Sequence, residues 1–165
     1  MSVPPAPGKL EQKSRVLELV LEYWRDVDTN WGSGAHLLFT EDGVFESERM
    51  RLVGRAEIKA FYDWRRGRGE RVARHLVANP RVHLTGADRA TIDYIMTIYA
   101  MDGVPVLPVS APNLICDVTE TMVWEDQRWW IAHKHFNTLF KGEVAATVMP
   151  PEILAVVRTG DTNAG

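Results

Sequence analysis

A single cysteine, Cys116, stands among 165 residues, so no internal disulfide framework can form and a reducing compartment is expected. Long apolar runs are missing as well: no stretch approaches the roughly 18 uninterrupted apolar residues that a membrane span requires. The opening MSVPPAPGKL lacks the apolar core of a secretory leader, and a cytoplasmic, membrane-free location is the expectation. Nor is there a cationic surplus. With 19 Lys and Arg against 22 Asp and Glu, the formal net charge is −3, which leaves no basic stripe for nucleic acid. RRGRGER, at 65–71, is locally basic but has no interleaved aromatics, and reads as a solvated helix end and loop.

What is present is a 45% hydrophobic composition in a chain the length of one ordinary domain, enough for a substantial core. Three prolines among the first nine residues predict a flexible arm over 1–9. Leu17, Leu21, Trp24 and Val27 then recur at helical spacing, which predicts a helix over 10–28 with these side chains on its core face and Tyr23 and Asp28 near the edges. SGAHLLF (33–39) suggests a short second helix, VFESERMRLVG a hairpin-like strand region, and RAEIKAFYDWRRG a third helix stopped by Gly67. Cys116 reads as an inert buried thiol.

Beyond residue 70 the period changes from 3.6 to 2. Strands are predicted over 71–84, 89–100, 113–126 and 128–137, joined by short connections except for the proline-bearing loop 101–113. Such connections favour an antiparallel meander. Helices followed by a curled antiparallel sheet make an α+β plan: a cone-shaped curved sheet, packed on N-terminal helices, enclosing a pocket. The domain is expected over 10–142, followed by a 143–165 tail with a short helix near 151–158.

The order of elements and several local motifs resemble the SnoaL-like branch of the nuclear-transport-factor-2-like superfamily, which includes scytalone dehydratase, the bile acid dehydratases and ketosteroid isomerase-like enzymes. The motifs are YWRDVDTNW, LFTEDGVF, GRAEIKAFY, RHLVANPRV and DQRWWIAHKH, and the resemblance spans about residues 12–138. It implies a catalytic histidine on the RHLVANPRV strand, His75, acting as base or proton shuttle. It also implies a tyrosine and an aspartate five residues apart at the end of the first helix, a spacing that Tyr23 and Asp28 match. A further aspartate of the bile acid enzymes falls near Ile98, and the arginine those enzymes use near the last strands has no counterpart.

Chemically, an imidazole accepts and returns a proton near neutrality, and a carboxylate on one ring nitrogen fixes its tautomer. Tyr23 would hydrogen-bond a substrate oxygen as charge develops. Each residue has a plainer reading: His75 as a satisfied core histidine, Asp28 as a helix-end cap, Tyr23 as an amphipathic side chain with a wetted hydroxyl. Asn79 shares the His75 face or sits in a turn before Pro80. Tyr94, Met96 and Ile98 share a face of the next strand, and Trp31, Trp64 and Trp129 could shape an apolar pocket. His133 and His135 share a face of the last strand, but no third ligand accompanies them, so no metal is expected and they read as cavity lining or a solvated edge.

The expectation is thus a cofactor-independent lyase, of the dehydratase type, or an isomerase, acting on a hydrophobic cyclic small molecule. Alternatives are a SnoaL-like polyketide-type cyclase, a non-catalytic subunit resembling the β subunit of ring-hydroxylating dioxygenases, or a small-ligand binding module. A homodimer or homotrimer is expected from the open sheet edge.

Overall fold

Amphipathic periodicity of 3.6 at the start of the chain and of 2 after residue 70 produces two layers, helices laid on a strongly curved sheet. The computed structural model describes residues 8–142 and 148–159. In chain order the elements are α1 (Lys9–Thr29), a 3-10 turn (Ala35–Leu38), β1 (Phe39–Ser47), β2 (Met50–Val53), α2 (Gly54–Arg66), β3 (Arg71–Leu84), β4 (Arg89–Asp102), β5 (Leu114–Glu125), β6 (Arg128–Lys141) and α3 (Pro151–Thr159). The expected arm over 1–9 lies almost wholly outside the described residues, as do both ends of the 143–165 tail; α3 occupies the helix expected near 151–158. No helix among the described residues is long and apolar enough to cross a membrane.

The six strands form one unclosed sheet in the order β2-β1-β6-β5-β4-β3. From β3 to β6 it is the expected antiparallel meander. The β1/β2 hairpin, however, joins it through a parallel pairing of β1 with β6, a contact between segments some ninety residues apart that no local pattern announces. Gly54, at φ +80, turns β2 directly into α2, a backbone conformation that suits a residue without Cβ.

Helix α1 buries Val16, Leu19, Val20, Tyr23, Trp24 and Val27 against the sheet. The expected stripe is thereby corrected: Leu21 is 47% exposed and Leu17 only half-buried, whereas Tyr23 is central to the buried face. A ladder at spacings of three and four accommodates either face, and the packing of α1 on β3 selects the one that carries Val16, Val20 and Tyr23.

Candidate active site

The concave face of the sheet, α1 and α2 enclose a cavity of about 310 Å³, within the range of small-molecule sites. Its walls include Trp24, Phe45, Phe61, Met96, Ile98 and Phe136, with His75, Tyr62, Asn113 and several cationic side chains as the polar positions. The apolar part of the wall favours a ligand with a substantial hydrophobic body.

His75 sits in the middle of β3, and strand alternation turns its side chain toward α1. Asp28, on the last turn of α1, meets it twice. One carboxylate oxygen lies 2.6 Å from the ring Nδ1, and the other accepts the His75 backbone N–H at 2.8 Å. A carboxylate only accepts, so Nδ1 carries the proton and Nε2 keeps its lone pair. The helix-end role open to Asp28 is filled by Asp26 instead: its carboxylate accepts the Gly34 backbone N–H at 3.0 Å and the Asn30 side-chain amide at 2.7 Å. Asp28 is therefore free to reach across to β3. Trp24, one turn earlier, stacks on the imidazole at 4.2 Å between centroids and 17° between planes. Burial lowers the His75 pKa from its ordinary value; the hydrogen bond and charge of Asp28 act in the opposite direction without cancelling it. The imidazole is a neutral base at pH 7.

Tyr23 lies one layer behind the cavity. Fully buried, its hydroxyl contacts that of Tyr62 on α2, and Tyr62 is the one that lines the cavity. One hydroxyl donates to the other, so the pair keeps one hydrogen to offer elsewhere. Burial raises both phenols, Tyr62 to about 12, and both stay protonated at neutral pH.

Below them runs a buried polar chain. The Trp24 indole N–H donates to the Tyr94 hydroxyl at 2.9 Å, and Tyr94 donates to Glu120 at 2.6 Å. Lys134 forms an ion pair with the same Glu120 oxygen, both side chains being fully buried, and its ammonium lies 4.0 Å from the Tyr23 ring centroid. The face of Trp24 that supports His75 is held from behind.

The structure thus brings His75, Met96 and Ile98 together at the cavity, with Asp28 bonded to His75 from an adjoining cleft and Tyr23 and Tyr94 behind. The remaining sequence candidates lie elsewhere. Asn79 is exposed at φ +52 in a β3 bulge between Ala78 and Arg81, where the register shift before Pro80 turns it out of the sheet's inner face. Trp31 lines a separate cleft beside Asp28 and Arg74. Trp64 packs on Phe61, outside the cavity. Trp129, near the start of β6, donates to Gln12 at the far end of α1. His133 and His135 fall on the outer face of β6, because Lys134 and Phe136 occupy the inner phase; His133 pairs there with Glu46 at 2.8 Å. Among the described residues no group of three or more His, Cys, Asp or Glu side chains is placed to hold a metal ion. Cys116 is buried, its thiol pushed up to about 11 by burial. Residues 104–112 contribute nothing to this cavity, and Val106 and Val109 are fully exposed.

Sequence reasoning missed several site residues. Glu120 stands in phase with Cys116, Val118 and Met122 along β5, as Lys134 does with Phe136 along β6. A charge at the buried phase of a strand was the available signal. Arg65 and Arg71, the two ends of the basic stretch read as solvated, both line the cavity, whereas Arg66 and Arg68 between them are exposed.

Residues 8–135 match the family model for the SnoaL-like domain. Among curated proteins, none matches the chain. Solved structures share the fold. A protein assigned as a scytalone dehydratase from Novosphingobium aromaticivorans superposes with a TM-score of 0.71 at 17% identity, covering 86% of this chain and 93% of its own. ActVI-ORFA of Streptomyces coelicolor gives 0.65 at 18% identity over 76% of this chain and 95% of its own. A Mycobacterium tuberculosis protein of unknown function gives 0.66 at 23% over 88% and 89%.

Proposed function

From the premise that this chain belongs to the SnoaL-like family, in a superfamily that includes dehydratases, isomerases and cyclases, we propose that it is a lyase or isomerase in which His75 moves a proton on a hydrophobic cyclic small molecule. The observation that carries the reading is the double contact of Asp28 with His75 at the wall of an apolar cavity. His75 Nε2 takes the proton from a carbon next to a carbonyl, and the electron pair moves toward the carbonyl oxygen. Asp28 stabilises the imidazolium so formed. Tyr62, with Tyr23 donating to it from behind, hydrogen-bonds that oxygen as it gains charge. In an elimination the imidazolium then protonates the departing hydroxyl, which leaves as water; in an isomerisation it returns the proton to another carbon of the ring. The side chains supply base, acid and oxyanion donor, and the reaction as proposed draws on no cofactor.

The test is proton exchange. In D2O, cyclic ketones with a β-hydroxyl or a β,γ-double bond should exchange their acidic carbon-bound hydrogen in the presence of the protein, read by NMR, and His75→Gln should abolish the exchange while retaining a folded circular-dichroism spectrum. Exchange that persists in His75→Gln would remove His75 from the reaction. No exchange with any such ketone would leave the cavity a binding site for an apolar ligand.

The exposed Leu139 and Phe140 at the end of β6 favour assembly into a homodimer or homotrimer, which sedimentation equilibrium distinguishes from a monomer.

A further inference from the structure

The cavity is apolar around Met96, Ile98 and Phe136 and cationic elsewhere. Arg49, Arg65, Arg71 and Lys141 line it against one carboxylate, Glu48, in a chain whose formal net charge is −3. Glu48 is engaged by β6: its two oxygens accept the Thr138 backbone N–H at 2.5 Å and the Thr138 hydroxyl at 3.1 Å. It does not neutralise the arginines. Arg71 pairs through one terminal nitrogen with Asp102 at 2.5 Å, but its Nε is buried and without a hydrogen-bond partner. Arg65, on the last turn of α2, makes no ion pair among the described residues. Two neighbouring guanidiniums on one wall, one of them without a paired carboxylate, leave that wall short of an anion.

We infer that the molecule bound in this cavity carries a carboxylate, received by the Arg65 guanidinium, with the neighbouring Arg71 adding positive charge to the same wall. This rests on the reading of the cavity as the substrate site of His75. A guanidinium presents paired N–H groups that match the two oxygens of a carboxylate, and in a partly dry cavity such pairing is stronger than in water. Burial lowers the pKa of Arg65, and the neighbouring Arg71 adds to the effect; because a guanidinium keeps its proton, the strain is relieved by an anion and not by titration. Arg71 and His75 share a face of β3, with Cα atoms about 13 Å apart at strand rise, so the acid and the reacting carbon belong to different ends of the ligand. The inferred substrate class is a cyclic, largely apolar carboxylic acid.

The Arg65 charge is also one of the influences that lower the His75 pKa. A bound carboxylate offsets it and makes the imidazole a stronger base when substrate is present.

The experiment compares 2-naphthoate with uncharged 2-naphthamide by calorimetric titration of the whole chain. Wild type should bind the acid about 10-fold or more tighter than the amide, an advantage that shrinks as salt is raised. Arg65→Met, which keeps most of the apolar stem, should bring the two ligands to similar affinity, and Arg65→Lys should restore part of the difference. His75→Gln should leave the acid preference intact. Equal affinity for acid and amide in wild type, binding of neither, or a preference unchanged in Arg65→Met would each overturn the inference. If the preference holds and proton exchange fails, the carboxylate site stands and the lyase or isomerase reading falls.

Discussion

Asp28 grips His75 by ring and by backbone, with 2.6 Å to Nδ1 and 2.8 Å from the peptide N–H. The second bond means that the carboxylate cannot rotate to release the ring without also abandoning a strand amide. In Asp28→Asn only one of the two atoms facing His75 can accept. If the amide oxygen keeps the backbone N–H, the NH2 group faces Nδ1, and the imidazole must move its proton to Nε2, the atom proposed to act as base. Turnover should fall by about two to four orders of magnitude with ligand affinity nearly unchanged. Steady-state rates set beside directly titrated binding constants check this; a parallel loss in both would make Asp28 a binding residue.

The lowered His75 pKa predicts a pH dependence of stability with a definite sign. The unfolded chain protonates its histidine at the ordinary 6.5, whereas the folded chain does so only at lower pH. Between those values the unfolded state holds the extra proton, so stability declines as pH falls through 6.5 and levels off below the folded pKa. Urea denaturation from pH 8 to pH 5 should show this slope in wild type, and His75→Gln should lose that part of it. The rate should follow the same group, rising with pH through a value below 6.5 and flat above it.

Both dependences involve residues that were visible in the sequence, and the reasons differ instructively from those that were not. A helix over 10–28 became Lys9–Thr29, and strands over 71–84 and 89–100 became Arg71–Leu84 and Arg89–Asp102, because periodicity is a local property that packing only trims. Which face of α1 turns inward was not local. It depends on β3, and Leu21 lost to Val20 and Tyr23. The five-residue spacing of Tyr23 and Asp28 looked like one pocket edge, yet on a helix five residues is 500° of rotation; one points at Tyr62 behind the cavity and the other at β3. Arg65 and Arg71 were hidden because a charged run is normally solvated, and only the fold shows that its two ends turn inward while its middle turns out.

Tyr62 and Tyr23 should separate experimentally although their hydroxyls touch. Tyr62→Phe removes the hydroxyl on the cavity wall, and kcat should fall by about 10-fold or more, consistent with loss of one transition-state donor. Tyr23→Phe leaves Tyr62 in place but deprives it of its donor, so the loss in kcat should be several-fold smaller, with a stability cost of about 1 kcal/mol for the buried hydrogen bond. Kinetics of the two variants and of the double variant check the order; a larger rate loss in Tyr23→Phe would mean that Tyr23 itself reaches the substrate.

The deepest charge pair sets the last expectation. Lys134 and Glu120 are fully buried in contact with each other, and the second Glu120 oxygen has no hydrogen-bond partner. Burial depresses the Lys134 pKa against the pull of Glu120, a balance that holds only while both partners are present. Lys134→Met strands a carboxylate in the core and should cost about 3–5 kcal/mol in urea denaturation. Adding Glu120→Gln removes the stranded charge, and its amide can still accept from Tyr94, so the double variant should be more stable than Lys134→Met alone. If the double variant were as unstable as the single one, the loss would come from Lys134 packing over the Tyr23 and Trp24 rings, and not from an uncompensated Glu120.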